Sequence, residues 1–223
     1  MPRSARIVIP HLAHHVIQRG NRRQAIFFSD DDRQAYLDLL AINCRKTATR
    51  CLAWCLMDNH VHLVLVPSTA DGLRATLASI HTAYSQRINA AQNASGHLFQ
   101  GRFLSYPMDD AHLMVAVRYV ENNPVAAGLA ARAEDWRWSS ARAHISHAAD
   151  GITDLAALGQ HVANWRAMLA DGLEASDQVE QAIRSGLPLG RADWRAAVAN
   201  QFARTLVPQK RGPKGPHPAR PVI

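Results

Sequence analysis

Two histidines two residues apart, His60 and His62, open the aliphatic run HVHLVLV. Side chains alternate along a strand, so both imidazoles project from one face of it. Two imidazoles so placed can share one divalent cation. A second pair lies in RYVENNP, where Asn123 follows Tyr119 by four residues. That is one helical turn, so a phenol and a carboxamide share a helix side. Leu113, Val117 and Val120 form the apolar stripe of the same helix, and Tyr119 lies about 100° from Val120 around the axis. If that side meets the histidine-bearing face, Asn123 supplies a third metal donor and Tyr119 a nucleophile. The set suits phosphodiester cleavage. A phenol of pKa about 10 attacks poorly while neutral. A divalent cation polarises the scissile phosphate, and the tyrosine forms a covalent intermediate that separates strand cutting from strand joining.

The elements that must position these groups follow from hydropathy. AHHVIQ, near 13–18, reads as a short strand, and RGN turns. A helix follows over about 31–50, its acidic start SDDD matching a helix N-terminus. CLAWCLM and HVHLVLV, joined by Asp58-Asn59, read as a hairpin over 51–66. Leu73, Leu77, Ile80, Tyr84 and Ile88 mark a long helix over about 72–92. RFLSYP is a fourth strand, and Asp109 or Asp110 caps the helix that carries Tyr119. That helix should end near Asn123, because the residue before Pro124 disfavours helical backbone. The order βαββαβ predicts an α+β, ferredoxin-like antiparallel sheet with helices on one face. Its other face is expected to stay open, with His60 and His62 looking out from it. Three parts are expected: a catalytic domain over 1–130, a mainly helical C-terminal extension over 131–205, and a basic Pro/Gly-rich tail over 206–223, disordered when free. The extension reads as helices over 154–170, 176–185 and 191–204. Trp136 and Trp138 read as packing anchors rather than base-stacking platforms.

Composition narrows the function classes. The 223 residues carry a net charge of +7, with a pI of about 9.9, which favours a polyanionic partner. No run approaches a membrane span, and the N-terminus is no secretory signal. Three cysteines, an odd number, argue against a disulfide framework and for the cytoplasm. Cys51 and Cys55 lack a second pair for a metal site and read as small buried residues. The positive charge gathers in two places. Arg19, Asn21, Arg22 and Arg23 form a basic turn suited to phosphate contact. Lys210, Arg211 and Lys214 lie in a tail that reads equally well as a minor-groove arm or as a solubilising segment. Arg102 and Tyr106, beside the fourth strand, are further DNA-contact candidates.

The motifs HHVIQRGNRRQAIF, HVH, RYVENNPVAAGL and DWRWSSARAH together resemble the HUH endonuclease superfamily. Within it the chain is most similar to the REP-associated tyrosine transposases, over about residues 8–145. The resemblance implies that His60, His62 and Asn123 bind Mg2+ or Mn2+, and that Tyr119 is the nucleophile. It implies a single-stranded DNA hairpin as substrate, with a short recognition sequence at its foot. The long C-terminal extension could shield a surface that shorter relatives use to dimerise, so a monomer is the favoured expectation. One departure is Ala126, where the resemblance leads to a basic residue; a candidate phosphate contact is thereby missing. Three rival readings use the same residues differently. A non-catalytic regulator would bind hairpins without cutting them. A metal-dependent hydrolase would use water instead of Tyr119. An RNA-binding module would need aromatics on its central strands, where Trp54 stands nearly alone.

Overall fold

The computed structural model describes residues 6–159, 161–171 and 176–206. Its first elements run β1 (His14–Arg19), α1 (Asp30–Lys46), β2 (Arg50–Met57), β3 (His60–Val66), α2 (Gly72–Ala91), β4 (Leu104–Pro107) and α3 (Asp110–Ala126). The strands pair in the order β2-β3-β1-β4, every pair antiparallel, as the βαββαβ pattern requires. Local chemistry sets the helix ends. The Ser29 hydroxyl caps α1 by accepting from the Asp32 amide. Asp30, Asp31 and Asp32 sit in its first turn and Arg45 and Lys46 in its last, complementing the macrodipole. Asp109 caps α3, accepting from the His112 amide at 3.0 Å.

Each sheet face buries its own core. Val16, Trp54, Leu56, Leu63 and Leu65 face α1 and α2, where they meet Tyr36, Leu40, Leu77, Ile80 and Tyr84. Each such side chain, fully withdrawn from water, contributes about 1.5–3 kcal/mol. The second face, expected to be open, is covered. Ala53, Cys55, Val64 and Val66 pack there against Ala116, Val117 and Val120 of α3. The apolar stripe of α3 needs a surface to bury itself on, and this face supplies it. Helix α3 also outruns its expected end: it continues through Pro124 to Ala126. Pro124 is buried, and the turn is held by Ala127 N–H bonding Asn123 C=O at 3.0 Å and Leu129 N–H bonding Pro124 C=O at 2.9 Å. Tertiary packing overrides the proline's local preference and keeps Asn123 helical.

The extension adds α4 (Ala141–Ser146), α5 (Trp165–Ala170), α6 (Ser176–Ser185) and α7 (Ala192–Gln201). The helix expected over 154–170 is instead a 3-10 turn, Leu155–Ala157, followed by the short α5. Two capping side chains divide it: Asp154 accepts from the Ala157 amide and Asn164 from the Ala167 amide. Residues 136–140 lie along the outer edge of β2. Leu56 N–H bonds Trp138 C=O at 2.8 Å, Ser140 N–H bonds Trp54 C=O at 2.9 Å, and Trp136 Nε1 donates to Leu56 C=O at 3.1 Å. Both tryptophans are packing anchors, Trp138 buried and Trp136 half-buried. Trp165, Leu169, Val179, Ala182 and Leu189 complete the α3-side core, so the extension and the sheet share one interior. The three cysteines are free and buried, and burial pushes the Cys44 thiol up to about 12. Among the described residues no helix is long and apolar enough to cross a membrane.

Candidate active site

The hairpin turn brings His60 and His62 onto the α3-facing side of β3. Their ring centroids are 4.8 Å apart, edge to face. Each has its Nδ1 engaged by a neighbour. His60 Nδ1 is 2.6 Å from Asn59 Oδ1, and His62 Nδ1 is 2.9 Å from His15 Nε2. In the tautomer where both Nδ1 atoms donate, each Nε2 lone pair is directed away from these partners, the arrangement that orients metal-binding imidazoles. Burial holds both rings neutral. It depresses the His60 pKa to about 4, with Arg19 adding to the effect, and takes His62 well below its ordinary value, with His15, His60 and Arg19 adding.

His15 was not singled out by sequence. It sits on β1, two positions along the β1–β3 ladder from Ile17, the partner of His62, and stacks on His62 with ring centroids 5.1 Å apart. Burial lowers its pKa to about 3, with His60 contributing. Its Nε2 is taken up by His62, which makes it a second-layer support. Among the described residues no three His, Cys, Asp or Glu side chains converge as a metal site. The third donor expected from the sequence is the Asn123 amide oxygen.

Helix α3 presents Tyr119 and Asn123 to these rings. The Tyr119 ring lies 5.5 Å from that of His62 and 5.7 Å from that of His15, both edge to face. The Asn123 carboxamide stands beside both His60 and Tyr119, raising the pKa of the imidazole and lowering that of the phenol. Half-buried Tyr119 has its pKa raised, first by burial and then by Glu180; Asn123, Arg19 and Arg184 oppose the shift. The phenol is therefore neutral, shielded and edged by two guanidinium groups. Glu180 and Arg184 come from α6, so the extension reaches the rim of the site.

The other candidates separate into two groups. Arg19 ends β1 opposite His60. Asn21, Arg22 and Arg23 form the tight turn beyond it, with Arg22 and Arg23 exposed and at positive φ of 52° and 63°. The turn is possible because residue 20 is glycine: a Cβ there would come within 2.2 Å of the Gln24 carbonyl oxygen. Arg102 lines one groove with Arg19 and another with Asn21, Arg6 and Arg74. Tyr106 offers no surface contact: it is buried, donating to the Ile183 carbonyl at 3.3 Å. Ala126 is exposed at the end of α3. Lys210, Arg211 and Lys214 lie outside the described residues.

The sequence pattern of the IS200-like transposases matches residues 8–123. The match begins six residues before β1 and ends on Asn123, so it takes in His15, His60, His62, Tyr119 and Asn123. Among solved structures, a REP-associated tyrosine transposase bound to a REP hairpin is similar, at 18% identity and a TM-score of 0.56. The similarity covers 70% of this chain and 90% of that one, and it shows a common fold. A candidate transposase from Deinococcus radiodurans R1 shares 17% identity over 54% of this chain and 97% of its own, with a TM-score of 0.38. No curated protein matches the chain at a significant level.

Proposed function

We propose, from the premise that this chain belongs to the IS200-like transposase family, that it cuts and rejoins single-stranded DNA beside a hairpin through a covalent bond to Tyr119. The observation that carries this is the meeting of one phenol with two imidazoles on the same face of the sheet. His60, His62 and the Asn123 amide oxygen fit a hard divalent cation: the rings are neutral, and the nearby Cys55 thiol is pushed up by burial and supplies no thiolate. When bound there, Mg2+ or Mn2+ supplies positive charge to polarise the scissile phosphate.

The chain's own residues do the rest. Tyr119 attacks the phosphorus as its phenol proton leaves. The Oη–P bond forms, the P–O3′ bond breaks, and the departing O3′ takes up a proton. One strand then ends in a free 3′-hydroxyl and the other is held as a 5′-phosphotyrosine, ready for the reverse step with a new 3′-end. Asn123 orients the phenol. Arg19, and Arg184 from α6, place positive charge beside the oxygen. The substrate is a hairpin of the REP type, as in the structural neighbour. Its foot runs past Arg19, Asn21, Arg22, Arg23 and Arg102, whose charges suit phosphates. A monomer accords with the outer edge of β2 being covered by its own chain. Its three buried free thiols accord with the cytoplasm.

The test is a denaturing gel of protein incubated with labelled hairpin oligonucleotides of varied foot and with Mg2+ or Mn2+. A metal-dependent covalent adduct, abolished in Tyr119→Phe, is expected. Cleavage that persists in Tyr119→Phe without an adduct would replace this reading with hydrolysis by water. Tight hairpin binding without any cleavage would make the chain a regulator.

A further inference from the structure

A carboxyl group that the cleavage chemistry does not use lies buried on the back of α3. Glu121 is 0% exposed. Its Oε1 accepts from Ser140 Oγ at 2.5 Å and from His144 Nδ1 at 2.7 Å, and its Oε2 accepts from Trp165 Nε1 at 2.7 Å. Those donors come from the start of α4, from α4 itself and from α5. Ser140 Oγ in turn accepts from the Trp54 amide of β2 at 3.0 Å. The His144 ring stacks on Trp165 with centroids 4.0 Å apart, and its Nε2 has no hydrogen-bond partner among the described residues. Two neighbours on the same side reinforce the tie: Asn122 donates to Leu169 C=O at 2.8 Å, and Arg118 donates to Asp171 C=O.

The helix geometry gives this tie its meaning. Val120 faces the sheet, Tyr119 stands about 100° to one side of it and Glu121 about 100° to the other. A helix resting on a sheet through one apolar stripe has its rotation about its own axis set by the contacts it makes off that stripe. Glu121 blocks a roll about that axis, because its two oxygens are held from three directions. Side chains reach about 5–6 Å from the axis, so a roll of about 10° carries the Tyr119 side chain about 1 Å. Displacements of that size cost a well-aligned reaction up to about a hundredfold.

We infer that Glu121 is a positioning residue: by pinning α3 to α4, α5 and β2 it sets the rotation of that helix and so aims Tyr119 and Asn123 at the His60/His62 pair. A glutamine is a sharp probe. Its amide nitrogen would face either Trp165 Nε1, which cannot accept, or Ser140 and His144, which would have to reverse their roles. The inference rests on the cleavage reading for its consequence, but the geometry can be read without activity.

The chain has four tyrosines, so protein labelled with 3-fluorotyrosine gives four 19F lines, and Tyr119→Phe identifies the one from Tyr119. In Glu121→Gln, and more mildly in Ser140→Ala, the Tyr119 line is expected to shift or split while the lines of Tyr36 and Tyr84, on the opposite face of the sheet, stay in place. Adduct formation under single turnover is expected to slow about 10–100-fold in Glu121→Gln, with hairpin Kd changed less than about twofold. Leu77→Ala, which loosens the opposite face, serves as the control for lost stability and is expected to leave both readouts alone in the folded protein. A Tyr119 line that does not move in either variant overturns the inference, and so does an equal slowing in Leu77→Ala. If the wild-type protein forms no adduct with any hairpin, the cleavage reading fails and the fluorine spectrum still decides whether Glu121 aims the helix.

Discussion

The two faces of the sheet are equally dry, yet they bury different things. Against α1 and α2 lie aliphatic and aromatic side chains, and the polar groups among them close on one another or on the backbone. Thr47 and Thr76 hydroxyls meet at 2.6 Å, and Tyr84 donates to Ile26 C=O at 2.7 Å. Against α3, at the same depth, lie His15, His62, Glu121 and His144, none more than 3% exposed. Burying such groups is costly unless they are paired, and a water-free pocket is where fixed charges and dipoles act most strongly on a reacting group. One face makes the fold stable; the other gives up part of that stability to hold groups that can do chemistry.

The comparison can be broken at its stable side with the largest effect. Leu77→Ala removes a fully buried side chain from the α1/α2 core and should cost about 2–5 kcal/mol by urea unfolding. The folded fraction should form adduct at the wild-type rate. A slower rate in fully folded protein would mean the two faces are not separable. A smaller effect tests the chemical side. His15→Phe keeps a ring against His62 and deletes only the hydrogen bond to Nδ1. It should weaken Mn2+ binding, followed by calorimetry, about 10–100-fold and change stability by less than about 1.5 kcal/mol. Unaltered binding would show that His62 needs no such support.

The smallest effect divides the acid sensitivity between the faces. On the α1/α2 side, His81 packs against Phe99 and Phe103 and bonds the Tyr36 hydroxyl at 3.2 Å. Burial lowers its pKa to about 3, with Arg6 adding, while the unfolded value stays near 6.5. Above pH 6.5 neither state binds the proton. Below it the unfolded chain takes one up first, so stability falls as the pH drops toward about 3. His14 acts in the same direction, with a folded pKa of about 4. Urea midpoints at pH 7 and pH 4.5 should therefore draw closer together in His81→Phe than in the wild type, by at most one proton's worth of pH dependence. An unchanged gap would assign the acid sensitivity to His14, His15 and His62.

Much of this was legible in the sequence, and the failures have a common form. Periodicity placed α2 and the β2–β3 hairpin almost to the residue, because each is fixed by neighbours close in the chain. It also placed His60 and His62 on one face. His15 was missed because its role depends on the register between β1 and β3, 47 residues apart. The fate of the second face was misread because the stripe of α3 does not say which surface it will seek. Asn123 was expected to end its helix, on a local proline rule that buried packing overrode. Glu121 looks like a solvent-facing glutamate in RYVENNP; only Trp165, 44 residues later, makes it a buried one.

The strip of chain along β2 has a consequence for anyone who would shorten this protein. The segment matched by the family pattern stops at Asn123, but the partners of the Trp54 carbonyl and the Leu56 amide lie at Ser140 and Trp138. A fragment ended at residue 123 would bare a strand edge with its hydrogen-bonding groups unmet, the kind of surface on which a second chain adds itself. It would also remove Trp165, Leu169, Val179 and Leu189 from the α3-side core. Such a fragment should be recovered as aggregate. A minimal soluble form has to keep the chain at least through Trp165 and Leu169, well past the point where the recognisable motif stops.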